Sequence, residues 1–168
     1  MTKEIIRFFI LFVILVLSQV VVFNHFCLFG VAIPLVFVYF IIKLPITLGT
    51  NWVLTFSFLL GLAIDLFSNT QGMNALACTL TGIIRLPVLR LYAPRQDDIT
   101  NPVPSVGSLG AVVFMKYAAT IITLYCLLFF VIEAFAFFDI MRLLMRAAGS
   151  ALLTFVIIIA FDGFTSRR

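Results

Sequence analysis

The sequence predicts an all-α polytopic membrane protein with six transmembrane helices, and three observations carry that prediction. Of its 168 residues, 64% are hydrophobic, 20 are phenylalanine, and the mean hydropathy is +1.25. A soluble domain of this size leaves too much of its area facing water to hide so much apolar surface. The apolar residues also fall in long continuous runs, with the charges in the gaps. These runs lack the apolar–polar alternation of a membrane β-strand, and lipid offers no partner to a free amide, so each run is expected to be helical.

A helix crosses a hydrocarbon core of about 30 Å with about 20 mainly apolar residues. Six segments qualify: 5–23, 28–42, 52–67, 74–91, 111–132 and 143–161. The first, Ile5–Phe23, starts just after Lys3 and carries Arg7 in its first turn, so the start of the chain has the basic region and apolar core of a signal peptide. It is long enough to span, and Val21-Val22-Phe23-Asn24-His25 offers no small-residue cleavage site, so it reads as an uncleaved span. The second, Leu28–Ile42, covers only about 22 Å as a helix. Pro34 is expected in its first turn, where a missing amide costs little, and Pro45 follows as a stop. It crosses by snorkelling or local thinning; the alternative is a five-span chain with this element re-entrant. The stretch Ala93–Gly110 carries Arg95, Gln96, Asp97, Asp98, Pro102 and Pro104 and reads as the longest polar loop.

Charge sets the orientation. With six spans and a cytoplasmic amino terminus, the inner side holds Lys3, Arg7, Lys43, Arg90, Arg95, Arg167 and Arg168. Arg85 and Lys116 are expected to snorkel toward that side, leaving only Arg142 and Arg146 outside. The positive-inside rule then places both termini in the cytoplasm. Tyr39, Trp52, Tyr92 and Tyr117 all fall near predicted cytoplasmic ends, where amphipathic rings suit the headgroups. The formal net charge is +4, but no stretch forms a dense basic patch, so nucleic acid is not an expected partner. Cys27, Cys78 and Cys126 are odd in number, far apart and set in apolar sequence, which indicates neither a disulfide framework nor a metal site.

Polar residues inside a bilayer are costly and therefore informative. Asp65 lies 13 positions after Trp52, about 20 Å along its helix and in the outer half of the membrane. Gly61, four residues earlier, shares its face and lets another backbone come close. Gly72 suits a tight outer turn before the next helix. Asp65 reads either as a specific contact to a helix, loop or partner, or as a carboxylate reaching headgroup water. Gln19 and Ser18 are candidates for hydrogen bonds between helices. Asp139, Arg142 and Arg146 share a narrow arc if Phe138–Ala148 is helical. That arc reads as an outer interfacial helix, or as a docking ridge for an extracytoplasmic partner. His25 is the single histidine and lies in a short outer connection. No Ser/His/Asp set, zinc-protease motif, P-loop or buried carboxylate pair can be assembled, so neither an enzyme nor a cofactor is expected.

Beyond these single residues, the chain resembles the rod shape-determining protein MreD family of bacterial inner-membrane proteins. The resemblance rests on the six-span pattern, on Ile33-Pro34-Leu35 with Pro45 after it, and on Gly61-Leu62-Ala63-Ile64-Asp65-Leu66-Phe67. Gly72 and the small residues Ala75 and Ala77 follow as in that family's central region. The basic Arg142 and Arg146 on the outer side depart from the usual pattern. The resemblance implies a non-enzymatic inner-membrane subunit of the cell-wall elongation machinery. Its partners would be an MreC-like bitopic protein and the SEDS-type glycosyltransferase and class B transpeptidase complex. It also implies a fold like that of the substrate-binding membrane component of ECF vitamin transporters. Pro34, Gly61, Asp65 and Gly72 are the motif positions, with a structural or partner-binding role. A second function class stays open, a small-solute (vitamin-type) binding component of a transporter, with Asp65, Asn69, Asn74 and Gln19 as its polar groups.

Overall fold

Apolar runs of this length must satisfy their own backbone, and the computed structural model shows helices for most of them. It describes residues 2–23, 33–70, 72–92, 103–134 and 140–165. The elements are α1 (Thr2–Ser18), which continues as a π-helical turn (Gln19–Phe23), then α2 (Val38–Lys43), α3 (Thr50–Ser68) and α4 (Met73–Tyr92). A short α5 (Val106–Leu109), α6 (Ala111–Ala134) and α7 (Ile140–Thr165) complete the order. There is no strand among the described residues. Four helical stretches are long and apolar enough to cross a membrane: Thr50–Ser68, Met73–Tyr92, Ala111–Glu133 and Leu144–Gly163. A shorter apolar helix covers Ile6–Val21.

Helix α3 packs along α4, α4 along α6, and α6 along α7, while α1 lies beside α3. Their outward faces are apolar and exposed, including Phe9, Trp52, Leu66, Val112 and Leu152. This is the surface that hydrocarbon would cover; in water it would be an aggregation site.

The centre of the bundle is where the structure departs from expectation. The predicted second helix is wound only over Val38–Lys43 in its described part. Residues 33–35 are neither helix nor strand, and a turn at 36–37 leads into α2. Pro34 therefore sits in unwound chain and not in a first helical turn. From Leu35 to Ile42 every side chain is buried, with Phe37, Val38, Ile41 and Ile42 fully so. Phe12 of α1 meets Phe40 edge-on, and Phe37 meets Tyr125 of α6 edge-on. The segment is a core element wrapped by helices, which is where non-helical backbone is tolerated at membrane depth.

The last helix also differs from expectation. Residues 140–165 form one 26-residue helix, so no separate interfacial helix precedes the predicted last span within the described residues. The Asn24–Cys27 connection with His25, most of the Ala93–Gly110 loop, and Asp139 lie outside the described residues, as does the side chain of Arg142.

Candidate functional site

The α3–α4 hairpin is built around Gly61 and Asp65. Helix α3 ends at Asn69, which adopts a left-handed conformation (φ 54°), and Gly72 follows with φ 77°. A positive φ is cheap for glycine and tolerable for asparagine, so this pair reverses the chain in a few residues. The close approach expected at Gly61 is made by α4 of the same chain. A Cβ on Gly61 would lie 2.4 Å from the Ala75 Cα and 2.4 Å from the Asn74 carbonyl oxygen.

One turn further along the same face, Asp65 caps the incoming helix. Its Oδ1 accepts from the Asn74 backbone N–H (3.1 Å), the Asn74 side-chain amide (2.9 Å) and the Thr70 hydroxyl. Its Oδ2 accepts from the Ala75 N–H at 2.8 Å. A carboxylate at a helix N-terminus satisfies amides that have no partner inside the helix and meets the positive end of the helix dipole. The network continues inward, because the Tyr125 hydroxyl donates to Asn74 Oδ1 at 2.6 Å. Of the two readings of Asp65, the structure gives the specific contact, and its partners lie within the chain.

Unwound chain at 33–37 exposes backbone groups that no helix satisfies, and three side chains take them up. Gln19 donates from Nε2 to the Pro34 carbonyl (2.9 Å) and accepts from the Val36 N–H at Oε1 (3.0 Å). One amide thus pairs with both backbone groups, as an adjacent strand would. Ser150 and Thr154 of α7 accept from the N–H groups of Ile33 (3.1 Å) and Leu35 (2.9 Å). These hydroxyls are four apart and so share a face of α7. Gln19 opens the π-helical turn, a local widening that often marks a functional position.

Beside this segment lies a cavity of about 450 Å³. Leu35, Phe37, Ile64, Phe129 and Phe130 form its apolar walls, with Gln19, Thr70 and Asn74 among its polar groups. Asn69, proposed from the sequence as a polar ligand group, acts as the left-handed end of α3.

At the opposite end of the 33–43 segment, two buried cations hold the chain. Arg85 does not snorkel: it is 1% exposed and its terminal nitrogens donate to three carbonyls. These are Ile41 (3.1 Å), Leu44 (2.6 Å) and Pro45 (2.7 Å). They belong to the end of α2, whose last carbonyls lack intrahelical donors and favour a cation.

Lys43, expected as a topological marker, pairs instead with Asp162 of α7. Its ammonium also lies 5.4 Å from the Tyr39 ring centre and 5.5 Å from that of Phe114. Asp162 takes a second group from α2 and also ties in α5. Tyr39 donates its hydroxyl to Oδ1 at 2.8 Å, and the Val106 N–H donates to Oδ2 at 3.1 Å.

Tyr39 and Tyr117 are therefore core residues, 2% and 1% exposed, and not headgroup anchors; Trp52 is exposed. Sequence reasoning missed Asp162 because it lies one residue past the predicted span. The available signal was Tyr39 and Lys43 at i, i+4, a spacing that aims an aromatic hydroxyl and an ammonium at one point.

The third group of predicted residues is only partly visible. Arg146 faces Glu133 of α6 at 3.4 Å, with its guanidinium 5.9 Å from the Phe130 ring centre. Both partners are substantially exposed, and such pairs contribute little to stability. No cluster of three or more His, Cys, Asp or Glu side chains able to hold a metal occurs among the described residues. Cys78 and Cys126 are buried free thiols.

The geometry thus assembles Gly61, Asp65 and Gly72 in one hairpin, and Pro34 in the core segment beside it. Compared with family models, with curated proteins and with solved structures, the chain finds no match.

Proposed function

We propose that this protein is a non-enzymatic, multi-pass subunit of the bacterial inner membrane that serves the cell-wall elongation complex. In this reading it packs against an MreC-like bitopic partner and supports the SEDS-type glycosyltransferase and class B transpeptidase. The observation that carries the proposal is the α3–α4 hairpin. The residues behind the resemblance, Gly61, Asp65, Gly72 and Ala75, all serve one closed structural unit.

Their polar groups are used within the chain, so the hairpin offers a neighbour an apolar relief: Phe58, Leu62 and Leu66 project from α3. Close van der Waals packing is what drives association between helices in lipid. A partner's transmembrane anchor would lie against that relief, and not against Gly61, which α4 already occupies.

Six crossings with both termini cytoplasmic follow if the 33–43 segment counts as a broken span. Gln19 and Ser150 then mark the outer side, and Lys43, Arg85 and Asp162 the inner side. A bundle of five helices around a sixth, buried and partly unwound element is also the basis for proposing an ECF-like fold.

The test is depletion of the protein in its rod-shaped host together with affinity purification from solubilised membranes. Rounding of the cells and recovery of an MreC-like partner are expected. Unaltered rod shape and wall growth in depleted cells would refute the proposal.

A second reading, a small-solute-binding component of a transporter, is favoured by the cavity of about 450 Å³, within the range of small-molecule sites. It predicts thermal stabilisation of the purified protein by a vitamin-type solute.

A further inference from the structure

The chemistry of the cavity lining decides what would occupy it. Its polar members are already engaged. Gln19 spends its amide on Pro34 and Val36. Thr70 donates to Asp65 and accepts from Asn74. Asn74 gives its side-chain amide to Asp65 and Thr70, and takes the Tyr125 hydroxyl on its oxygen. Ser68, the remaining polar residue among the described ones that line it, also has a partner. A vitamin-type ligand needs convergent groups with free hydrogen-bonding capacity, and here that capacity holds backbone and helix ends together.

Among the described residues that line it, none is charged. The carboxylate of Asp65, which bonds the lining residues Thr70 and Asn74, is filled by its four donors, and Arg146, over the Phe130 ring, faces Glu133. What remains for a ligand to touch is aliphatic and aromatic: Leu35, Phe37, Ile64, Phe129 and Phe130.

The way in is also apolar. Phe67 lines the cavity yet is 63% exposed, and it continues the outward face of α3 formed by Leu59, Leu62 and Leu66. Val20 lines the cavity from the π-helical turn that continues α1, so apolar side chains from both α1 and α3 border it. Phe67 thus stands where the cavity meets the exposed apolar face of α3, the surface that hydrocarbon would cover.

We infer that the cavity is a lipid-chain site: one hydrocarbon chain of a membrane amphiphile enters between α1 and α3 and packs against Leu35, Phe37 and Phe130. Transfer of apolar surface from bulk lipid gains little by itself, so the affinity comes from contact with walls that would otherwise have no partner atoms. The inference is independent of the assembly role: lipid retention and partner association are separate measurements.

Native mass spectrometry of the full chain, after solubilisation and delipidating washes, tests it. One retained lipid per chain is expected, and its mass separates the two sources of a chain, a phospholipid or a free fatty acid. Ile64→Phe fills the cavity from the core side and Val20→Phe from its margin. Each is expected to lose the retained species, while Leu66→Phe on the exposed face keeps it. Val20 is only partly buried, so that variant is the safer one should Ile64→Phe fail to fold.

In a Trp52→Phe background, Phe129→Trp should be quenched saturably by a brominated-chain phospholipid or fatty acid. The lipid-facing Leu66→Trp should instead be quenched in proportion to bulk lipid. Absence of a retained lipid in the wild-type chain overturns the inference. So does unchanged retention in Val20→Phe, or displacement of the brominated chain by a water-soluble vitamin.

Discussion

Replacing Asp65 with alanine removes the acceptor for four donors at once. Two of these are the side chains of Thr70 and Asn74, which keep the 3.1 Å bond they already share. The other two are the backbone N–H groups of Asn74 and Ala75, beside residues 3% and 4% exposed. Leaving a buried donor without an acceptor costs about 1–3 kcal/mol, so the pair gives about 2–6 kcal/mol. Helix N-caps in water-soluble proteins, where solvent replaces the cap, cost only about 0.5–2 kcal/mol, which sets the lower bound. The expected destabilisation is about 2–4 kcal/mol, between those limits.

Asp65→Asn keeps one acceptor oxygen but turns an amide N–H₂ toward the other donors, so roughly half that loss is expected. Equilibrium unfolding of the purified protein in mixed micelles measures both. The double variant with Asn74→Ala should lose less than the sum of its parts, because the two residues share one network. An Asp65→Ala protein within about 0.5 kcal/mol of wild type, the scale of an uninvolved surface change, would refute the capping argument.

Gly61→Ala places a Cβ 2.4 Å from the backbone of Ala75, so α3 and α4 must separate; a loss of about 1–3 kcal/mol is expected, while Gly72→Ala strains only its turn. Asp162→Asn leaves the Lys43 ammonium without its counter-charge at a buried site, and a loss of about 3–5 kcal/mol in the same unfolding measurement is expected. The double variant Lys43→Met/Asp162→Leu should recover much of that loss, and failure to do so would show that Tyr39 and Val106 depend on the carboxylate itself. Arg85→Met strips donors from the Ile41, Leu44 and Pro45 carbonyls and should speed hydrogen exchange in α2; exchange unchanged from wild type would count against its anchoring role.

The ordinary helices were legible because their signal is local. The predicted 52–67, 74–91 and 111–132 lie within a few residues of Thr50–Ser68, Met73–Tyr92 and Ala111–Ala134. Gly61, Asp65 and Gly72 were legible as a group because helix spacing and turn chemistry both act over a handful of positions.

The 28–42 run was not. An apolar run reads alike whether it is a helix facing lipid or buried unwound chain, since burial removes the periodicity that separates them. What allows it to unwind is distant: the groups that bond Ile33 and Leu35 lie 117 and 119 positions away. Arg85 and Lys43 misled for a similar reason. A cation near a span end suits the headgroups equally well as a marker, and only the tertiary fold shows that carbonyls and Asp162 receive it first.

The ties between the 33–43 segment and α7 impose an order on biosynthesis. Chain emerging from a ribosome delivers Ile33, Leu35 and Tyr39 long before Ser150, Thr154 and Asp162 exist to receive them. Until the final helix is synthesised, those polar groups must be sheltered by water or by the insertion machinery, and the nascent bundle has no finished interior. A product halted before position 150 is accordingly an incomplete protein, and not a smaller stable one, which gives quality-control proteases a clear substrate whenever translation stops early.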